Sequence, residues 1–317
     1  MKSIPTWTHK VLLNNFDVQK NSLENKIALA IMAYAAGDAL GVQYEFIKEK
    51  PVITRLSIQE KEGWPFGGVS DDTLLSLITL SSLEEENPDL AANLFLERLK
   101  TAVPKLRGLG PTTRAALGLK VSDHEVKQVG NTNGAMMRTA LCGMAFKPSD
   151  AERRSKWILK SASMTHQNPN ATFSAVLLSG IVSELTDNFA SREIDVYEIA
   201  IKVLNELDSR PERLDSELKN FGKWSPPANG ISLDPIETLL AVIWVVKGAK
   251  SFENLYIRAC QLGGDTDTVA ALSSAVYALK AGEMEQFLAM QWLSDIKWDE
   301  VGNLENMIYL VAKNRGK

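Results

Sequence analysis

Apolar residues in this chain recur at helical spacing over most of its length and at strand spacing almost nowhere. Asp234-Pro235-Ile236-Glu237 opens one such run. Asp234 suits the N-cap, Pro235 the first helical position, and Glu237 completes a capping-box pattern. Ile236, Leu239, Leu240 and Ile243 then follow at i, i+3, i+4 and i+7, and Gly248 is placed to end the run. The same reasoning predicts helices over about 268–280, 27–40, 73–83 and 171–185. Val52 to Ile58 is the best strand candidate. There is no internal repeat and no low-complexity tract. The sharpest breaks are GWPFGGVS, GLGP, GNTNG and KWSPPANG, and none reads as a long linker. One all-α domain of about a dozen helices is therefore expected. It is preceded by an N-terminal extension over 1–24, because the first strong helix begins only after it.

The charge balance narrows the function. Lys plus Arg is 35 against 39 Asp plus Glu, a net −4, so the basic surplus of a phosphate-backbone binder is missing and nucleic-acid binding is not expected. With 45% apolar residues the chain is not disordered as a whole. Cys142 and Cys260 are too few for a disulfide scaffold, and they read as buried thiols. His9, His124 and His166 are scattered, which argues against a histidine-rich metal site. The first residues hold no apolar run of signal-peptide length. The longest apolar stretch, Leu239 to Val246, is far short of the ~20 residues that span a bilayer. A cytoplasmic location without membrane attachment is the expectation.

Five short elements carry chemistry. Ser70-Asp71-Asp72-Thr73 and Gly263-Gly264-Asp265-Thr266-Asp267-Thr268 are glycine-preceded acidic turns that each lead into a helix. Hard cations such as Mg²⁺ want oxygen ligands, and two such turns facing each other offer enough for two ions. Each cluster alone reads more readily as helix capping. Gly37-Asp38-Ala39-Leu40-Gly41-Val42-Gln43-Tyr44-Glu45 places two glycines four apart on one helical face, which permits close helix approach. It also places Asp38 in an apolar helix, where an acid needs a partner. Gly130-Asn131-Thr132-Asn133-Gly134, ahead of Ala135-Met136-Met137-Arg138, is an ordinary turn or a phosphate cradle. Thr165-His166 completes the set.

In this order the five elements resemble the ADP-ribosylglycohydrolase family, over about 27–282. The resemblance implies a compact single-domain orthogonal helical bundle over 25–317. It implies that Ser70, Asp71, Asp72, Asp265, Asp267 and Thr268 ligate two Mg²⁺ ions, with Mn²⁺ as a substitute and Asp267 as the bridge. Glu45 matches the glutamate near the scissile bond and, with Asp72 and Asp267, forms the implied catalytic group. Gly130, Asn131, Thr132, Asn133 and Gly134 match the phosphate loop, His166 is expected at the ADP-ribose end of the cleft, and Asp38 matches a structural acid. The chain departs from the family at Thr132-Asn133, where many members have a compact Gly-Asn-Gly run.

The implied activity is hydrolysis of the N- or O-glycosidic bond at C1″ of an ADP-ribose carried by a protein side chain, arginine foremost, or by a small conjugate. That chemistry develops oxocarbenium character in the ribose. The alternative is an immunity or regulatory protein that binds and blocks an ADP-ribosyltransferase, with Trp7 and Phe16 of the extension as aromatic anchors.

Overall fold

Residues 23–44 form an apolar stretch long enough to cross a bilayer, yet 94% of its most apolar window is buried inside the protein. An α-helix that is apolar all round belongs at the centre of a bundle, and the computed structural model places it there. It describes residues 5–12, 22–123, 125 and 129–317. Fifteen α-helices and several 3₁₀ turns account for the regular structure among them, and the fold is all-α.

The central helix, Leu23–Gly41, is capped by Ser22, whose side chain accepts from the Asn25 amide at 3.2 Å. Its close partner is Thr266–Ala281. Gly37 and Gly41 make this approach possible. A Cβ on Gly37 would lie 2.4 Å from the Ala270 carbonyl oxygen, and one on Gly41 would lie 2.4 Å from the Asp267 Cα. Tyr256 and Ser274 donate to the Ala33 carbonyl at 3.1 and 2.7 Å, and Thr266 donates to the Gly41 carbonyl at 2.9 Å. The packing thus delivers the acidic turn at 265–268 directly to the end of the central helix.

The helices begin earlier than periodicity alone predicts. The segment expected over 73–83 is Asp71–Ser81 followed by a 3₁₀ turn Ser82–Glu84. The one expected from 268 starts at Thr266 and that near 171–185 is Pro169–Asp187, whereas the helix capped by Asp234 runs over Pro235–Gly248, as its cap and proline indicate. Asp71, Asp72 and Asp267 therefore stand in first helical turns, where the helix dipole favours negative charge. Val52 to Ile58 is not a strand. Its backbone is held by side chains instead: Gln43 donates to the Ser57 carbonyl at 2.9 Å and Gln261 to that of Ile53 at 3.5 Å. Without a neighbouring strand the alternation only buries Ile53, Leu56 and Ile58 while Val52 is exposed.

Ahead of the central helix, in residues 5–12, Trp7 stacks on Trp298 with centroids 4.5 Å apart, and Val11 accepts from the Leu304 amide at 2.9 Å. Trp7 is buried. Phe16 lies outside the described residues.

Candidate active site

Ser70 is an N-cap: its Oγ accepts from the Asp72 amide at 3.0 Å. Asp38, fully buried on the central helix, holds the same turn. Its carboxylate accepts from the Ser70 amide at 3.0 and 3.1 Å and from the Thr73 amide at 3.1 Å, and it also accepts from the Thr73 hydroxyl. An acid in an apolar helix has thus found three donors. The Asp71 amide donates to the Arg107 carbonyl at 2.9 Å, and Gly108, at φ 86°, leaves room for the Asp71 carboxylate.

The second acidic turn is pinned by backbone. Asp265 donates to the Ile231 carbonyl at 2.8 Å, and Ile231 donates to that of Gly263 at 2.9 Å. Gly264, at φ 76°, passes so close to Ile231 that a Cβ would lie 2.0 Å from its oxygen. The Phe46 amide donates to the Gly264 carbonyl at 2.8 Å, which draws Glu45 to the same place. Asp265 occupies the N-cap position of its helix, yet its side chain caps nothing. Capping explains Ser70 but not Asp265.

The two turns, about 190 residues apart in sequence, meet in one cluster. Carboxylate oxygens of Glu45, Asp265 and Asp267 lie within 4.8 Å of one another. The charges of Asp72 and Asp265 act on each other and on Asp267, and the Thr268 amide donates to Asp267 Oδ1 at 2.9 Å. Asp72 Oδ2 is buried with no hydrogen-bond partner. Burial, and then repulsion among the acids, pushes the carboxyls of Asp71, Asp72 and Asp267 well above the usual carboxylate range. Burial raises Asp265 to about 7 and Asp38 to about 6. Carboxylates forced together out of water, with an orphaned oxygen among them, suit a hard divalent cation. Glu45 is the more open member and pairs with Lys61 at 3.2 Å. Lys61 also donates to the Val42 carbonyl at 2.6 Å.

The glycine-asparagine loop lies beside this cluster. The Asn133 side chain donates to Asp265 and to Thr238 Oγ1, so the loop and the acidic centre are bonded to each other. Two of its amides are already engaged: Gly130 donates to Thr112 Oγ1 at 3.0 Å and Asn133 to the Leu233 carbonyl at 2.9 Å. Among the described residues this leaves the amides of Asn131, Thr132 and Gly134 without a partner, and Asn131 Oδ1 is buried and partnerless as well. His166 does not line the cleft as expected. It is fully buried behind the loop, with its Nε2 2.9 Å from Thr132 Oγ1 and its Nδ1 2.8 Å from Thr165 Oγ1. A Cβ on Gly134 would touch its ring at 3.1 Å. Burial, aided by the Arg138 charge, lowers its pKa to about 3 and keeps it neutral. Spacing alone did not reveal the positions of Glu45 and Lys61, or the Asn133 clamp. A cavity of about 570 Å³ lined by Arg55, Ser57 and Trp292 shares no residue with the centre.

An all-α scaffold closed around convergent buried acids suits hydrolytic chemistry assisted by a hard cation. The ADP-ribosylglycohydrolase family model matches residues 19–317, and the chain belongs to that family. It is similar to ADP-ribosyl-[dinitrogen reductase] glycohydrolase of Rhodospirillum rubrum, at 24% identity over 87% of this chain and 91% of that protein. It is similar also to ADP-ribosylarginine hydrolase Tri1 of Serratia proteamaculans, at 24% identity over 89% and 78%. A solved structure titled ADP-ribosylglycohydrolase-related protein complex shares the fold, with a TM-score of 0.70, 22% identity, and coverage of 93% and 98%.

Proposed function

We propose that this enzyme is a Mg²⁺-dependent hydrolase that removes ADP-ribose from a modified protein side chain, arginine foremost, by cleaving the bond at C1″. The observation that carries this reading is the meeting of Glu45, Asp265 and Asp267 within 4.8 Å, with Asp72 near enough for its charge to act on Asp265 and Asp267. Asp72, Asp265, Asp267 and Thr268 are the residues that would hold two ions, with Glu45 in reach of the same place and Asp71 at its margin. Bound there, Mg²⁺ would supply Lewis-acid polarisation of ribose hydroxyls and water. The chain's own part is to orient the ribose against the acids and to hold the diphosphate on the Asn131 and Thr132 amides. Glu45, less buried than the aspartates, is placed to move a proton at the scissile oxygen or nitrogen, or at the attacking water. That the Serratia relative is named an ADP-ribosylarginine hydrolase supports the arginine preference. The blocking alternative loses one of its two anchors, because Trp7 is stacked against Trp298.

The test is incubation with Mg²⁺ and arginine-, serine-, nucleobase- and acetyl-linked ADP-ribose, with release of free ADP-ribose as the readout. Release from the arginine conjugate that stops with chelator and returns with Mg²⁺ is the expected result. Turnover that survives chelation overturns the metal dependence, and equal inertness to all four overturns the activity.

A further inference from the structure

Arg138, on the short helix Gly134–Thr139 that follows the loop, is 1% exposed. A buried cation is costly unless paired, yet among the described residues no carboxylate pairs with it. Its Nη1 donates to Ser161 Oγ at 3.1 Å. Its Nη2 donates to the Ser161 carbonyl at 2.7 Å and to Thr165 Oγ1 at 3.0 Å, and the guanidinium lies 4.1 Å from the centre of the Phe95 ring. Burial lowers its pKa to about 9, so it remains a cation at neutral pH.

An arginine can only donate, so Thr165 Oγ1 accepts from it and still has its own proton to place. Thr165 Oγ1 accepts from Arg138 and turns its own proton to His166 Nδ1, 2.8 Å away. The competing acceptor, the Ala162 carbonyl, is 3.5 Å away, at the limit for a hydroxyl. The neutral ring therefore carries its proton on Nε2 and donates to Thr132 Oγ1 at 2.9 Å. Thr132 passes its proton to Thr112 Oγ1 at 3.0 Å, and that oxygen also accepts the Gly130 amide at 3.0 Å. The chain of bonds runs one way, from a buried cation to the loop.

The loop borders a cluster of acids in an acidic protein, so a diphosphate needs a local source of positive field. Resting on the reading that this loop takes the diphosphate of ADP-ribose, we propose that Arg138 is its positioning residue. It orients the loop through Thr165, His166 and Thr132, and it sets an unpaired positive charge behind the anion. Arg138 touches no substrate, and its effect falls on binding of the diphosphate rather than on bond cleavage.

The experiment uses the full chain with Mg²⁺ and the variants Arg138→Met and Arg138→Lys. ADP-ribose binding is measured by calorimetry, KM and kcat on an arginine-linked conjugate, and the His166 tautomer by ¹⁵N NMR. Losing a charge-assisted bond predicts roughly tenfold weaker ADP-ribose binding and a matching rise in KM in Arg138→Met, with kcat changed less. The wild-type ring should be the Nε2–H form, the Met variant should lose that single form, and the Lys variant should recover both readouts. If Arg138→Met fails to fold, Thr165→Val cuts the same chain of bonds, keeps the buried charge and should give the same changes in smaller measure. A wild-type ring protonated on Nδ1, or a folded variant with unchanged ADP-ribose affinity, overturns the inference alone. Failure of the wild type to bind ADP-ribose overturns the functional reading and this inference together.

Discussion

At the scale of the residue, the acidic centre makes two outcomes measurable. Asp265, Asp71, Asp72 and Asp267 have carboxyls raised by burial above their unfolded values near 4. Each binds its proton more tightly folded than unfolded. Without a cation their contribution favours the fold below the unfolded value and is lost as pH rises through the folded one, about 7 for Asp265. In chelator, the melting temperature should therefore fall between pH 5 and pH 8. Mg²⁺, which binds the folded state, should restore it, and more strongly at pH 8. A thermal scan that is flat with pH, or indifferent to Mg²⁺, contradicts this. Asp267→Ala should abolish both turnover and the Mg²⁺-induced rise in melting temperature. His166→Ala should retain measurable turnover, because His166 supports the loop from behind. Equal losses in the two variants would contradict that ranking.

At the scale of the element, the site depends on two helices touching where no side chain intervenes. Gly41→Ala would drive a Cβ to within 2.4 Å of the Asp267 backbone. Overpacking of this kind costs about 1–3 kcal/mol, and here it would also shift the acidic turn, so both stability and turnover should drop. Gly222→Ala, where no atom lies within 4 Å, is the control and should change neither. Unimpaired turnover in Gly41→Ala would show that the turn's position tolerates separation of the helices. The Gly37/Gly41 spacing could be read as close packing before any coordinates, and so could the acidic turns with their helices. The local pattern was legible because caps, glycines and periodicity act over a few residues. The place of Glu45 was not, since the Phe46 bond to Gly264 that sets it joins distant segments. Nor was Arg138 legible, because its partners Ser161 and Thr165 come from the end of a distant helix, Ala151–Ser163, and the turn after it. Asp71 and Asp72 were expected on a turn and instead open a helix, because Ser70 rather than a later residue is the cap.

At the scale of the whole molecule, the described part of the extension, residues 5–12, closes against the C-terminal segment through the Trp7–Trp298 stack. Trp7→Ala should cost about 3–5 kcal/mol of stability while leaving specific activity of the folded protein intact, because it removes no site residue. Loss of turnover in a fully folded Trp7→Ala protein would link the extension to the cleft. One bond has a wider consequence. The Asn133 side chain ties Asp265 to the loop, so cation and nucleotide share a single thermodynamic cycle. Whatever factor Mg²⁺ adds to ADP-ribose affinity, ADP-ribose must add to Mg²⁺ affinity. Cutting the tie with Asn133→Ala should shrink that common factor toward one, read as Mg²⁺ titrations that no longer tighten when ADP-ribose is present. Through that amide, each ligand would prepare the place of the other, and the order in which they arrive would leave the final complex unchanged.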